Sequence, residues 1–176
     1  MTPILGILAS SRLAAVGDYQ SIATTTLGSS QATVTFSSIP STYTHLQVRY
    51  SLLGSGLQYN ITINSDTANN YSMHYINGDG ATVTALNAIN TNKILQNFVT
   101  ATSTTNPTVG VTDILDYANT NKNKTVRTLD GMDSNGSGQV TFVSGAWYST
   151  SAITSISFSS GGSFTANSTF ALYGIK

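Results

Sequence analysis

The chain has no cysteine and no glutamate, only three prolines among its 176 residues, and charged side chains make up just 8% of it. Without cysteine it has no disulfide framework and no thiolate metal site, and the redox compartment stays open. Seven Lys and Arg balance seven acidic residues, all of them Asp. Zero net charge provides no basic field to steer the protein toward nucleic acid or an anionic membrane. The lack of Glu and the scarcity of Lys and Arg also remove most of the polar residues that favour helices. No stretch approaches the roughly 18 consecutive apolar residues of a membrane-spanning helix. The apolar run Ile4 to Ala9 is short, broken by Gly6, preceded by no basic region and followed by Arg12, which argues against a signal peptide.

What remains is a chain of Ser, Thr, Asn and Gly interleaved with Val, Ile, Tyr and Phe. Thr, the β-branched aliphatics and the aromatics fit a pleated surface. Hydrophobic residues make up 40% and recur in short runs, which is too much apolar content for a disordered chain. The length suits one domain with its own core.

The runs alternate with period 2. Segments 19–27 and 32–36 flank the turn Gly28-Ser29-Ser30. Leu46, Val48 and Tyr50 oppose His45, Gln47 and Arg49 along a strand. After a turn at Gly54-Ser55-Gly56, Leu57, Tyr59, Ile61 and Ile63 are expected inward and Gln58, Asn60 and Thr62 outward. Tyr71, Met73 and Tyr75 form another set, ending at Asn77-Gly78-Asp79-Gly80, a sequence suited to positive φ. Residues 81–107 are less regular; within them 93–101 reads as a strand with Ile94, Gln96 and Phe98 on one face, or as part of a long loop. Strands are expected at 108–117 and 124–130, a turn cluster from Asp130 to Gly138, and then a strand in which Val140, Phe142 and Ala146 alternate with Val143 and Trp147. Segments 153–160 and 168–176 close the chain. Eight to ten short strands without an amphipathic helix predict an all-β antiparallel β-sandwich, preferably a jelly roll, over 19–176, with a short N-terminal arm over 1–18.

Chemistry-bearing clusters are few. His45 and His74 are the only histidines, and each falls on the polar face of its strand with no converging partner set. From Asp133 the spacing D-x-N-x-S-G imitates the start of a calcium loop, but Ser144 stands where the bidentate Glu is needed, and Asn135-Gly136 reads better as a hairpin turn. Asp113 and Asp116, three apart on a strand, point to opposite faces and make a poor acid/base pair. No nucleophile elbow or phosphate-binding glycine loop is present. The sequence therefore predicts no catalytic residue, no metal site and no cofactor. Tyr50, Tyr59, Tyr71 and Tyr75 follow the core phase. Trp147 and Tyr148 are adjacent, so one of the two should point outward and offer a surface aromatic contact.

The opening MTPILGILASS and the stretches IPSTYTHLQVRY (39–50), NSDTANNYSMH (64–74) and ITSISFSSGGSFTANSTFALYGIK (153–176) resemble a family of tailed-bacteriophage virion proteins, frequent in phages of aquatic bacteria. STYTHLQ and FALYGIK carry most of the specificity, and the resemblance spans almost the whole chain. It implies a virion structural protein without catalytic residues: a capsid decoration (cement) protein bridging capsid subunits, or a tail-fibre or receptor-binding module that holds host glycan. The partners implied are other virion proteins, either the major capsid protein or tail components. A homo-oligomer, a trimer by analogy with three-fold lattice positions, is also implied. The location implied is the virion, assembled in the host cytoplasm. Two readings of the residues fit this picture. Lys and Pro are too scarce to blunt sheet edges, which leaves edges for neighbours to cover. Ile4, Leu5, Ile7 and Leu8 form an apolar arm expected to bind a neighbouring subunit or, alternatively, to pack on its own domain.

Overall fold

The computed structural model describes residues 18–55, 58–96 and 105–176. Among them are thirteen strands: β1 (Tyr19–Thr26), β2 (Gln31–Phe36), β3 (His45–Leu52), β4 (Gly54–Ser55), β5 (Tyr59–Ile63), β6 (Tyr71–Gly78), β7 (Val83–Thr91), β8 (Ile94–Leu95), β9 (Thr108–Leu115), β10 (Lys124–Asp133), β11 (Gly138–Trp147), β12 (Ile156–Phe164) and β13 (Thr169–Ile175). All pairings are antiparallel. The larger sheet has eight strands in the order β1-β13-β3-β9-β10-β11-β6-β7, and the smaller runs β2-β12-β5-β8, with β4 pairing the far end of β12. The protein is an antiparallel β-sandwich. Its sheets are unequal, whereas a jelly roll folds eight strands into two Greek keys, so the assignment stops at the sandwich.

The core forms where the period-2 patterns of the two sheets meet. Leu46, Val48, Tyr50 and Leu52 of β3 and Phe170 and Leu172 of β13 face Tyr59, Ile61 and Ile63 of β5 and Ile156, Phe158 and Phe164 of β12, all at or near zero exposure. Phe158, Phe164 and Phe170 stack at centroid distances of 5.1 to 5.4 Å, with Phe158–Phe170 tilted and Phe164–Phe170 edge-on. The inward set predicted for β5 is confirmed at Tyr59, Ile61 and Ile63; Leu57 lies outside the described residues. Asn60 departs from its expected exposure. It alternates away from the core, yet it is buried between Ser159 and Leu95 on the flanking strands, and its Nδ2 donates to the Ser159 carbonyl.

Segments 19–27 and 32–36 are strands on either side of the Gly28-Ser29-Ser30 turn, as expected, and they belong to different sheets: β1 pairs β13 and β2 pairs β12, so the turn carries the chain from one layer to the other. Three other expectations change. The irregular stretch after residue 80 contains β7, a nine-residue strand. Gly54 and Ser55, expected in a turn, form β4 against Ser163 and Phe164. The turn cluster expected from Asp130 begins later, because β10 continues to Asp133 and the reversal occupies only Ser134 to Ser137. Asn135 at φ 51° and Gly136 at φ 104° make that reversal the hairpin turn expected of them.

Polar side chains hold the ends of the sandwich together. The Tyr71 hydroxyl accepts the Ile63 amide at 3.0 Å and donates toward the Ile63 and Asp66 carbonyls, and its burial raises the phenol pKa to about 12. Trp147 Nε1 donates to Asp66 Oδ2 at 2.7 Å. Bonds from Asn70, then Trp147 and the Ala68 amide, hold the Asp66 carboxyl below its usual pKa. Lys124, 1% exposed, points its ammonium at three backbone carbonyls, those of Asn119, Lys122 and Thr150, at 2.6, 2.9 and 3.2 Å. Burial first, and nearby Lys122 second, lower its pKa.

Candidate functional site

The larger sheet has one face in the core and one in solvent, and the solvent face is not polar throughout. Strand registers align one outward residue from each of six neighbouring strands: Arg49 on β3, Val111 on β9, Leu129 on β10, Phe142 on β11, Ile76 on β6 and Ala85 on β7. One step along the strands, Val109, Val140 and Val83 form a second apolar row, spaced by Gly131 and Gly78. Leu129 is 55% exposed, Val140 59% and Phe142 46%. At about 4.8 Å between strands the row is about 25 Å wide, of which the apolar part from Val111 to Ala85 spans about 19 Å. Singly scattered apolar residues on a surface are ordinary; a contiguous row of them is less so.

On the other side of the apolar row runs a polar one: Gln47, Asp113, Arg127, Ser144, His74 and Asn87. Gln47 Nε2 donates to Asp113 Oδ1 at 2.9 Å, and Arg49 Nε donates to Gln47 Oε1 at 2.7 Å. The Arg49 guanidinium lies 5.0 Å from the Tyr173 ring centre and 5.4 Å from that of Tyr19. Between the two rows His74, Ile76, Ala85, Asn87, Phe142 and Ser144 line an open depression of about 600 Å³.

A second polar cluster lies inside the sandwich. Tyr59 donates to Asp130 Oδ2 in a very short hydrogen bond, Tyr50 reaches the same oxygen at 3.3 Å, and the two phenol oxygens are 2.5 Å apart. Burial raises the Asp130 pKa to about 7 against the pull of Tyr59, Tyr50 and Thr141. Burial, reinforced by the charge of Asp130, pushes both phenols well above their usual value. The hydroxyl end of the Tyr50 ring sits against Gly110, in the space a Cβ would take. The cluster is nearly buried, and Tyr50 and Asp130 form the floor of a shallow outer depression of about 480 Å³ walled by Val109, Val111, Leu129 and Val140.

The predicted site residues fall in several places. Ile4, Leu5, Ile7 and Leu8 lie outside the described residues, as does Phe98. Trp147 is buried at 3% exposure, where it stacks on Tyr71 and is held by Asp66, so it is not the surface contact. Tyr148 points outward at 56% exposure and shares a hydrogen bond with Ser72 Oγ. His74 stands in the outer polar row. Half-buried His45 accepts the Asp116 amide on Nδ1 at 3.0 Å. Asp116 pairs with Lys122, which chiefly lowers its pKa, and sits apart from Asp113 on β9. Asp133 Oδ1 accepts the Asn135 amide within the hairpin turn. Among the described residues no three His, Cys, Asp or Glu side chains come together as ligands for a metal.

Alternation along β9, β10 and β11 shows this face in the sequence, since Val109, Val111, Leu129, Val140 and Phe142 share one phase. What the sequence does not show is which of two apolar phases meets the second sheet. Comparison with protein-family models, curated proteins and solved structures finds no match.

Proposed function

We propose that this chain is a structural protein of a tailed-bacteriophage particle, a capsid decoration (cement) protein that seats the outer face of its larger sheet on neighbouring capsid subunits and performs no catalysis. The observation that carries this reading is the apolar row across adjacent strands, in which Leu129, Phe142 and Ile76 are exposed and Val111 is half-buried. The apolar row suits a flat protein partner, since apart from Arg49 at its end it carries no strongly hydrated ion that has to be stripped on docking. The sequence resemblance to virion proteins supports the same role.

The test is incorporation into particles. Leu129→Lys with Ile76→Lys puts two charges in the row at exposed positions two strands apart, where substitutions usually change stability by no more than about 0.5 kcal/mol each. The expected result is a variant with a near-normal melting temperature that no longer associates with particles lacking the native protein, while the native chain covers the head in many copies. If the folded variant still decorates heads, the reading fails. The rival, a tail-fibre module that binds host glycan, rests on the exposed ring of Tyr148. It predicts few copies at the tail and glycan binding by the isolated chain.

A further inference from the structure

Among the described residues β7 is an edge strand of the larger sheet, and its own sequence carries nothing that blunts an edge. Natural sheets protect edges with Lys, Pro or very short strands. From residue 80 to residue 92 the chain has neither a charge nor a proline, and β7 is nine residues long. Val83, Leu86 and Ile89 stand 75%, 54% and 65% exposed along it. The regular stretch is 83–89, because Asn90 turns left-handed at φ 53° and interrupts the extended backbone.

We propose that β7 pairs antiparallel with β7 of a second copy about a two-fold axis at Leu86, joining two eight-stranded sheets into one. Only a register centred on Leu86 pairs all seven regular residues. It sets Leu86 against Leu86, Val83 against Ile89, Thr84 against Ala88 and Ala85 against Asn87, so each pair shares a face of the sheet and the large apolar residues meet each other. Beyond the seven residues the chain leaves the edge at both ends: Gly78 pairs with Val83 across the β6–β7 reversal, and after Asn90 it crosses to β8 in the other sheet, so the register rests on the regular stretch alone. The pairing closes on itself and consumes the edge, giving a dimer in place of the trimer expected by analogy. One strand pair buries less than the roughly 800 Å² per partner of a standard interface, so the dimer depends on concentration. It does not depend on the particle role proposed above.

Sedimentation of the full chain at rising concentration is expected to move the mass from 18.5 kDa toward twice that value. Leu86→Lys is expected to hold the chain monomeric. Because the protein has no cysteine, Leu86→Cys installs a single thiol. Opposed Cβ atoms about 4.5–5.5 Å apart approach disulfide range, so mild oxidation is expected to give a covalent dimer, whereas Thr24→Cys on the other edge gives none. If Leu86→Lys fails to fold, the Leu86→Cys cross-link and the sedimentation of the native chain decide. A monomer at every concentration with no Leu86→Cys cross-link, a trimer, or a dimer that survives Leu86→Lys would each overturn the proposal.

Discussion

Gly110→Ala is expected to cost about 3–5 kcal/mol, a large share of the total stability of a domain this size. A Cβ at this position would stand 2.4 Å from the Tyr50 hydroxyl oxygen and 2.5 and 2.6 Å from its ring carbons. The ring cannot give way cheaply. It packs edge-on to Tyr59 at 5.5 Å and against Phe158 and Phe170 at 6.0 and 6.5 Å, and its hydroxyl is bound into the Asp130 cluster. Either the strands spread, or Tyr50 moves and leaves buried polar partners short of a bond. Gly161 is the control, since a Cβ there meets nothing within 4 Å, and Gly161→Ala should be close to neutral. Urea unfolding of both variants checks the contrast. Tyr50→Leu combined with Gly110→Ala should cost less than the two single changes together, because the clash is then gone. Equal losses for Gly110→Ala and Gly161→Ala would remove the steric account.

Asp130 gives the protein an unusual dependence on pH. Folded, its carboxyl keeps a proton up to about pH 7, while the unfolded chain releases it near 3.8. Between those values the folded state binds more protons than the unfolded one, so stability falls as pH rises through the window and levels off above it. The full effect is about 4 kcal/mol. Asp66, Asp79 and Asp116 act in the opposite sense. Their pKa values are lowered in the fold, so the stability they supply is present above about pH 4 and lost in more acidic solution. The expected profile is a maximum in mildly acidic solution. Asp130→Asn should remove the decline toward pH 8, leaving the variant more stable than the native chain there and similar to it near pH 4. Parallel profiles for the two proteins from pH 4.5 to 8.5 would show that Asp130 is not the group responsible.

The sandwich was legible in the sequence because β3, β5 and β6 alternate cleanly, and one buried face enforces that alternation. β7 was hidden because both of its faces are exposed. Val83, Leu86 and Ile89 recur every three residues, a spacing with no period-2 signal. The partition of β1 and β2 between sheets was also hidden. A short turn is compatible with a hairpin or with a crossing between layers, and only distant partners, β13 and β12, decide between them. The burial of Lys124 and Asp130 was not legible, for a different reason. The phase of Val126 places both inward, but polar residues are expected outside, and the partners that make their burial tolerable come from strands and loops far along the chain. The same weakness applied to the outer face, where an apolar phase on β11 was readable although its direction was not.

The ammonium of Lys124, sealed among three carbonyl oxygens, has a practical consequence for chemical labelling. An acylating reagent should modify Lys93, Lys122 and Lys176 within its ordinary reaction time and leave Lys124 untouched, because the nitrogen is shut off from solvent and tied to three carbonyl oxygens. Lys124 becomes reactive only when the 116–124 connection and the segment at Thr150 come apart. The slow appearance of acylated Lys124 in a digest therefore acts as a clock for opening of this end of the sandwich, carried by the native chain without an added probe.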